Sequence, residues 1–204
     1  MSKLKGLLLT EGMHGMISQV EGLAKALDID YIHQKVELNK FTKFLPPKIT
    51  PVSNLFFKNF KIPEFDLIIS CGRKSDIPSK YLKKNSKKKI TNIHIQNPKT
   101  SLKNFDYIIV PEHDGVKGEN VITSRGAIHY LTSDEIKKNS NYLTGMLNKE
   151  KEYLLLILGG PNKYYDYNEK NLLDIFEKIQ KLIRKNSLQA IIIPSMRTPQ
   201  NIID

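Results

Sequence analysis

Tryptophan is absent from this 204-residue sequence, cysteine occurs once and arginine four times. The single cysteine, Cys71, excludes an internal disulfide and a zinc site built on paired cysteines, and it fits a reducing compartment. Long apolar runs are missing too. Leu154 to Leu158 is typical, far below the roughly 20 residues that span a bilayer. The basic start Met1-Ser2-Lys3-Leu4-Lys5 leads to an acid at Glu11 without a small-residue cleavage site, so no secretory leader is read. No G-x-G-x-x-G turn follows the first apolar run, which argues against a nicotinamide-dependent oxidoreductase. No second histidine or carboxylate sits at ligand spacing on one element, so no metal site is expected.

Positive charge is present in excess. The formal net charge is +11, and 28 of the 32 basic residues are lysine. Many fall in Lys80 to Lys89, "KYLKKNSKKK". Nucleic-acid sites interleave arginine and aromatics with their lysines, and this run does not, so nucleic acid is disfavoured as a partner. A solvated lysine face is the first reading and an anionic membrane surface the second.

Apolar runs alternate with helical periodicity, which predicts an α/β fold with a mostly parallel sheet. Strands are expected at Leu4–Thr10, Asp30–Leu38, Asp66–Ser70, Thr91–Gln96, Asp106–Val110 and Asn120–Ser124. A helix follows the first, with Ile17, Val20, Leu23, Ala24 and Leu27 on one face; the Ser18/Glu21 spacing suggests a capping box near Ser18. Ser75 can cap a second helix with Pro78 in its first turn. Thr132 and Glu135 open a third, expected to run to about Asn148. Residues 39 to 63, rich in proline and phenylalanine, read as an irregular lobe or short helix over the sheet. The pattern then restarts: a strand at Tyr153–Leu158, a helix at Asn168–Lys185 and a strand at Ala190–Pro194. Two domains are expected, 1–149 and 150–204, the second too small to bury a sheet on both sides and so read as incomplete.

In open α/β sheets ligands bind beyond the carboxyl ends of the strands. The loops expected there are unusually polar: Glu11-Gly12-Met13-His14-Gly15, Arg73-Lys74, Gln96-Asn97, Glu112-His113-Asp114, Gly159-Gly160-Pro161-Asn162-Lys163 and Arg197. Three of the four arginines follow strands, and in a lysine-rich chain an arginine there suggests a planar donor for phosphate or carboxylate. Gly12 and Gly15 serve either a turn or a close ligand approach. His14 is either a partner of a backbone carbonyl or a ligand or acid/base group, and Glu112-His113-Asp114 has the residue types for acid/base work or for a solvated turn. Gly159, Gly160, Asn162 and Lys163 offer backbone N–H groups and a cation after a strand, a weak phosphate-loop signal. His33, His94 and His129 alternate with apolar residues and read as packed histidines. Cys71 has no base nearby in sequence and is not expected to be a nucleophile.

The motifs "EGMHGMISQVEGLAKAL", "LIISCGRKS", "HIQNP", "FDYIIVPEHDGVKGENVITSRGAIH", "LGGPNKYY" and "SMRTP" together resemble the family named for the plant mitochondrial-fission (elongated-mitochondria) protein, frequent in alphaproteobacteria. They cover nearly the whole chain. The resemblance implies a GT-B glycosyltransferase-like architecture: two Rossmann-like domains facing a cleft, the first on the acceptor side and the second holding a nucleotide-sugar donor. The single cysteine and the basic charge lead to the expectation of a cytoplasmic protein, peripheral to the membrane at most, and the transfer scheme requires neither a metal nor a resident cofactor. Under that reading Gly12, His14 and Gly15 shape the acceptor side. Arg73, with Lys74, Gln96 and Asn97, holds an anionic group, while His113 or Glu112 assists proton transfer. Gly159, Gly160, Asn162, Lys163 and Arg197 approach the diphosphate. The alternative is a non-catalytic scaffold of the same fold that engages a membrane or a partner protein.

Overall fold

A computed structural model describes residues 3–39, 50–58, 64–162 and 164–203. The chain divides into two compact units, Met1–Ser133 and Asp134–Asp204. The first unit holds β1 (Lys5–Thr10), α1 (His14–Ala26), β2 (Asp30–Lys35), β3 (Leu67–Cys71), α2 (Arg73–Asn85), β4 (Thr91–Ile95), β5 (Tyr107–Pro111) and β6 (Val121–Ser124). Its six strands form one sheet in the order β2-β1-β3-β4-β5-β6, every pair parallel. This is a Rossmann-like α/β arrangement.

Strand alternation explains why both faces are covered. Successive side chains leave a strand on opposite sides, and central parallel strands are apolar on both. Leu8, Ile69, Ile93 and Ile95 pack with Val20 and Ala24 of α1. Leu7, Leu9 and Ile68 face the other way, with Ile77 of α2, Val36 and Phe57. Each fully buried aliphatic side chain contributes roughly 1.5–3 kcal/mol, so β1 and β3 anchor the unit. Phe57 reaches this core because Leu38 and Phe57 form an isolated antiparallel bridge beside a short 3-10 turn, Asn54–Phe56. The rest of the proline- and phenylalanine-rich lobe, residues 40–49 and 59–63, lies outside the described residues.

Three helices depart from the expected boundaries for identifiable reasons. α1 starts at His14, not Ser18, because Gly12 takes φ +87° and Met13 is extended, so the turn closes at once. The Ser18 hydroxyl instead accepts from Tyr130 N–H at 3.5 Å. α2 starts at Arg73 behind Gly72, whose φ is +90°. Ser75 is therefore inside the helix, its hydroxyl donating back to the Cys71 carbonyl at 2.9 Å, and Pro78 sits in the second turn. The third helix, α3, spans only Ser133–Asn139. Asn139 and Ser140 side chains donate to the carbonyls of Glu135 and Lys137. That local bonding competes with helix propagation, and a series of turns follows to Asn148.

After α3 the second unit contains β7 (Tyr153–Leu158), α4 (Glu169–Asn186), β8 (Gln189–Pro194) and α5 (Gln200–Ile203). β7 and β8 pair in parallel as a two-stranded sheet. Asn168 caps α4, its side chain accepting from Asn171 N–H at 3.1 Å. Leu154, Leu156, Ala190 and Ile192 line a cavity with Leu172, Phe176, Ile179 and Ile183 of α4. On the other face Leu155 and Ile157 are 55% and 68% exposed, so this sheet has an uncovered apolar side.

Candidate functional site

The strand order fixes where a site can form in the first unit. From β1 the chain passes through α1 to β2 on one side, then returns to place β3 on the other. The carboxyl ends of β1 and β3 therefore open onto a topological switch point, the crevice where open α/β sheets bind ligands. A cavity of about 730 Å³ lies at these strand ends. Glu11 and Met16 wall it beyond β1, Gly72, Arg73 and Lys74 beyond β3, Gln96, Asn97 and Lys99 beyond β4, and Pro111, His113 and Asp114 at the end of β5.

Glu11 is held by Lys74 in two ways. Its carboxylate accepts from Lys74 Nζ at 2.6 Å and from the Lys74 backbone N–H at 3.3 Å. It thereby occupies the positive end of α2. Gly72 makes this possible. A Cβ there would stand 2.8 Å from Met16 Sδ and 3.2 Å from Glu11 Oε1, and its φ of +90° favours glycine. Thr10, at the end of β1, is buried; its hydroxyl accepts from Gly12 N–H at 3.1 Å and lies 2.7 Å from His33 Nε2. Burial lowers the His33 pKa, the Glu21 charge opposing it.

The far wall rests on a buried polar cluster under α2. Asp76 accepts from Lys80 Nζ at 3.0 Å and from the Thr100 hydroxyl at 3.1 Å. Burial raises the Asp76 pKa, and Lys80 and Thr100 partly offset it. Thr100 anchors a strained loop: Gln96 and Lys99 hold φ of +81° and +58°, conformations costly for non-glycine residues. Lys99 N–H donates to Asn97 Oδ1 at 3.0 Å, closing the turn. Beside the cluster, on β4, His94 is 1% exposed, with Nδ1 2.9 Å from the Ser70 hydroxyl. Burial, then the charge of Lys80, lowers its pKa to about 3. Cys71 at the end of β3 is buried, and burial, then the Glu11 charge, pushes its thiol up to about 12. It is a packed thiol, not a nucleophile.

The sequence-derived candidates divide by position. Arg73, Lys74, Gln96, Asn97 and His113 line the cavity together. Glu112 shares the short turn with His113 but does not line it. His14 begins α1 and is exposed; Gly15 follows it with open space where a Cβ would stand, while a Cβ on Gly12 would stand 3.1 Å from Lys35 Cε. Gly159, Gly160, Asn162 and Arg197 gather at the carboxyl ends of β7 and β8 in the second unit. A Cβ on Gly160 would stand 2.1 Å from Arg197 Cβ. The Asn162 side chain is spent on its own turn, accepting from Tyr164 and Tyr165 N–H. Lys163 lies outside the described residues.

Sequence reasoning gave no role to Glu11 or Lys99, and named Asp114 only with Glu112 and His113 as an acid/base candidate. Glu11 could have been found as the first side chain beyond a buried strand; Lys99 had no sequence signal beyond its place after Asn97-Pro98. Two other expectations are corrected. His129 is exposed rather than packed; it is its backbone that lies on α1, against Gly22. The lysine run is only partly a solvated face: Lys80 is buried on Asp76, and Lys83 and Lys88 pair with Asp106 and Asp66. Among the described residues no group of three His, Cys, Asp or Glu side chains could hold a metal ion, and no helix is long and apolar enough to cross a membrane.

Comparison with known proteins brings two findings. The family model described as mitochondrial fission ELM1 matches residues 14–204. An uncharacterized protein of Rickettsia prowazekii (strain Madrid E) is 25% identical, the match covering 69% of this chain and 48% of the relative. The chain thus spans about half the length of that relative.

Proposed function

The chain belongs to the mitochondrial fission ELM1 family, and on that premise we propose that it is part of a GT-B glycosyltransferase that uses a nucleotide-sugar donor, its first unit on the acceptor side. The observation that carries the reading is the strand-end cavity of the first unit, where Arg73, Gln96, Asn97 and His113 converge on a walled space of about 730 Å³. That volume suits a sugar-sized ligand, since small-molecule sites occupy roughly 300–1,000 Å³. In this proposal the acceptor sits there. His113, whose Nε2 lies 3.8 Å from Asp114 Oδ1, takes the acceptor hydroxyl proton as its oxygen bonds to the sugar's anomeric carbon. The bond from that carbon to the donor diphosphate breaks, and the nucleoside diphosphate departs with its electron pair. Gly159, Gly160 and Arg197 are proposed to meet the donor diphosphate, Arg197 supplying positive charge to the leaving group.

The domain reading belongs to the same proposal: residues 1–149 as the acceptor-side domain and 150–204 as the beginning of a nucleotide-side domain. Two parallel strands with an uncovered apolar face support it, because parallel sheets are stable when both faces are covered. The activity is proposed for the whole protein that includes the remainder of that domain. Calorimetry of nucleotide sugars against the longer Rickettsia relative, followed by a transfer assay, tests the proposal. Binding of at least one nucleotide sugar is expected; no binding across the panel would remove its basis.

A second reading has one observation in its favour. The C-terminal half of α4 carries Lys178, Lys181, Arg184 and Lys185 around the exposed Leu182. A basic amphipathic helix of this kind suits a membrane surface or a partner protein. Binding to anionic vesicles that weakens with salt, with no nucleotide-sugar use, would favour this scaffold role.

A further inference from the structure

We infer that the strand-end cavity of the first unit takes a phosphorylated polyol, a sugar phosphate in class, with Arg73 and Lys99 on its phosphate. The inference rests on the acceptor-side reading above and gives that acceptor its charge.

Five charged side chains line the cavity: Glu11, Arg73, Lys74, Lys99 and Asp114. Lys74 is committed to Glu11 at 2.6 Å; Asp114, 3.8 Å from the His113 ring, is a carboxylate with no lysine or arginine partner among the described residues. Arg73 and Lys99 have no carboxylate partner among the described residues. Two uncommitted positive charges in one cavity match a phosphomonoester, which carries about 1.5 to 2 negative charges near neutral pH. Arginine offers a planar fork to two phosphate oxygens and lysine a point charge. The Gln96 and Asn97 amides, also in the lining, suit the hydroxyls of the polyol.

Lys99 presents an exposed side chain from a fixed backbone. Its backbone is held left-handed at φ +58°, its N–H is bound to Asn97 Oδ1, and the next residue, Thr100, is tied to the buried Asp76. Gln96, three residues earlier, is also left-handed at φ +81°. The buried cluster under α2 thus holds a strained loop in place, and strain of this kind gathers at ligand sites. The end of α2 itself adds nothing to the case, because Glu11 already accepts from Lys74 N–H there.

Calorimetry on the full chain, with inorganic phosphate, glucose 6-phosphate, glucuronate and glucose, tests this. Glucose 6-phosphate should bind more tightly than inorganic phosphate, with affinity falling as salt rises, and glucose should not bind at the same concentrations. Arg73→Met and Lys99→Met should each weaken glucose 6-phosphate binding about tenfold or more, and Lys99→Arg should restore it. Lys84→Met, in the last turn of α2, should leave it unchanged, with thermal unfolding run on each variant to separate lost binding from lost fold. Glucose binding as tightly as its phosphate would overturn the inference while leaving an acceptor site in place. So would tighter binding of glucuronate, affinity unmoved by both methionine variants, or no binding of either phosphate compound. Failure of nucleotide-sugar use, by contrast, would remove the transfer reading and leave the phosphate result standing.

Discussion

Acidification from pH 7.5 to 5 should destabilise the first unit chiefly through His94. In the native protein the ring is 1% exposed and its pKa falls to about 3, through burial first and the charge of Lys80 second. In the unfolded chain the same ring titrates near 6.5. Below pH 6.5 the unfolded state therefore binds a proton that the native state refuses. The stability that His94 contributes is complete above about pH 6.5 and is lost as the pH falls toward 3. At pH 5 the loss amounts to about 2 kcal/mol from this linkage, a sizeable part of the roughly 5–15 kcal/mol of a folded domain. Asp76 works in the opposite direction. Its pKa is raised by burial, so its native form keeps a proton that the unfolded chain has released, and its contribution grows as the pH falls. Comparison with His94→Asn removes this background. The asparagine amide can replace Nδ1 beside the Ser70 hydroxyl but cannot titrate. Urea unfolding of both proteins at pH 7.5 and pH 5 provides the assay. The parent should lose about 2 kcal/mol more than the variant over that interval; equal losses in the two proteins would refute the reasoning.

Three further outcomes follow from the same packing. Lys80→Met should destabilise by about 3–5 kcal/mol at neutral pH, because it leaves the fully buried Asp76 carboxylate without its countercharge; the deficit should shrink in acid, where Asp76 takes a proton, and urea midpoints at pH 7.5 and 5 measure it. Gly22→Ala should cost roughly 1–3 kcal/mol as overpacking, since a Cβ there meets the His129 carbonyl carbon at 2.5 Å and its oxygen at 2.6 Å. An unchanged melting temperature would mean that the 126–130 segment does not lie on α1. Cys71 should resist a thiol reagent at pH 8 in the native protein and react promptly in urea, because burial holds its pKa at about 12; prompt native reaction would contradict that burial.

Much of the fold could be read from the chain because buried parallel strands have a short-range signature. Leu7–Leu9, Ile68–Ile69 and Ile108–Val110 are apolar on both faces, and each announced its strand within a residue or two of the observed ends. Helix starts were less legible. Ser18 and Ser75 had the right spacing to cap, but Gly12 and Gly72 closed the turns earlier through positive φ, and sequence alone does not say which device wins. The candidate site was legible as a set of loops, since every polar strand end was visible. Its composition was not. Glu11 belongs to the cavity because Lys74, 63 positions away, draws its carboxylate onto α2. Lys99 belongs because its neighbour Thr100 donates to Asp76 of α2. Both are tertiary facts without a local pattern.

The central claim is that the switch-point cavity of the first unit is where this protein holds its small-molecule ligand. Amide chemical-shift mapping of the isotope-labelled full chain during titration with glucose 6-phosphate tests it most directly. The account predicts saturable shifts at Glu11, Gly72, Arg73, Gln96, Lys99 and Asp114, the residues around the cavity mouth. Saturable shifts confined to the lysine run 83–89 or to the second unit, with those six unmoved, would contradict it.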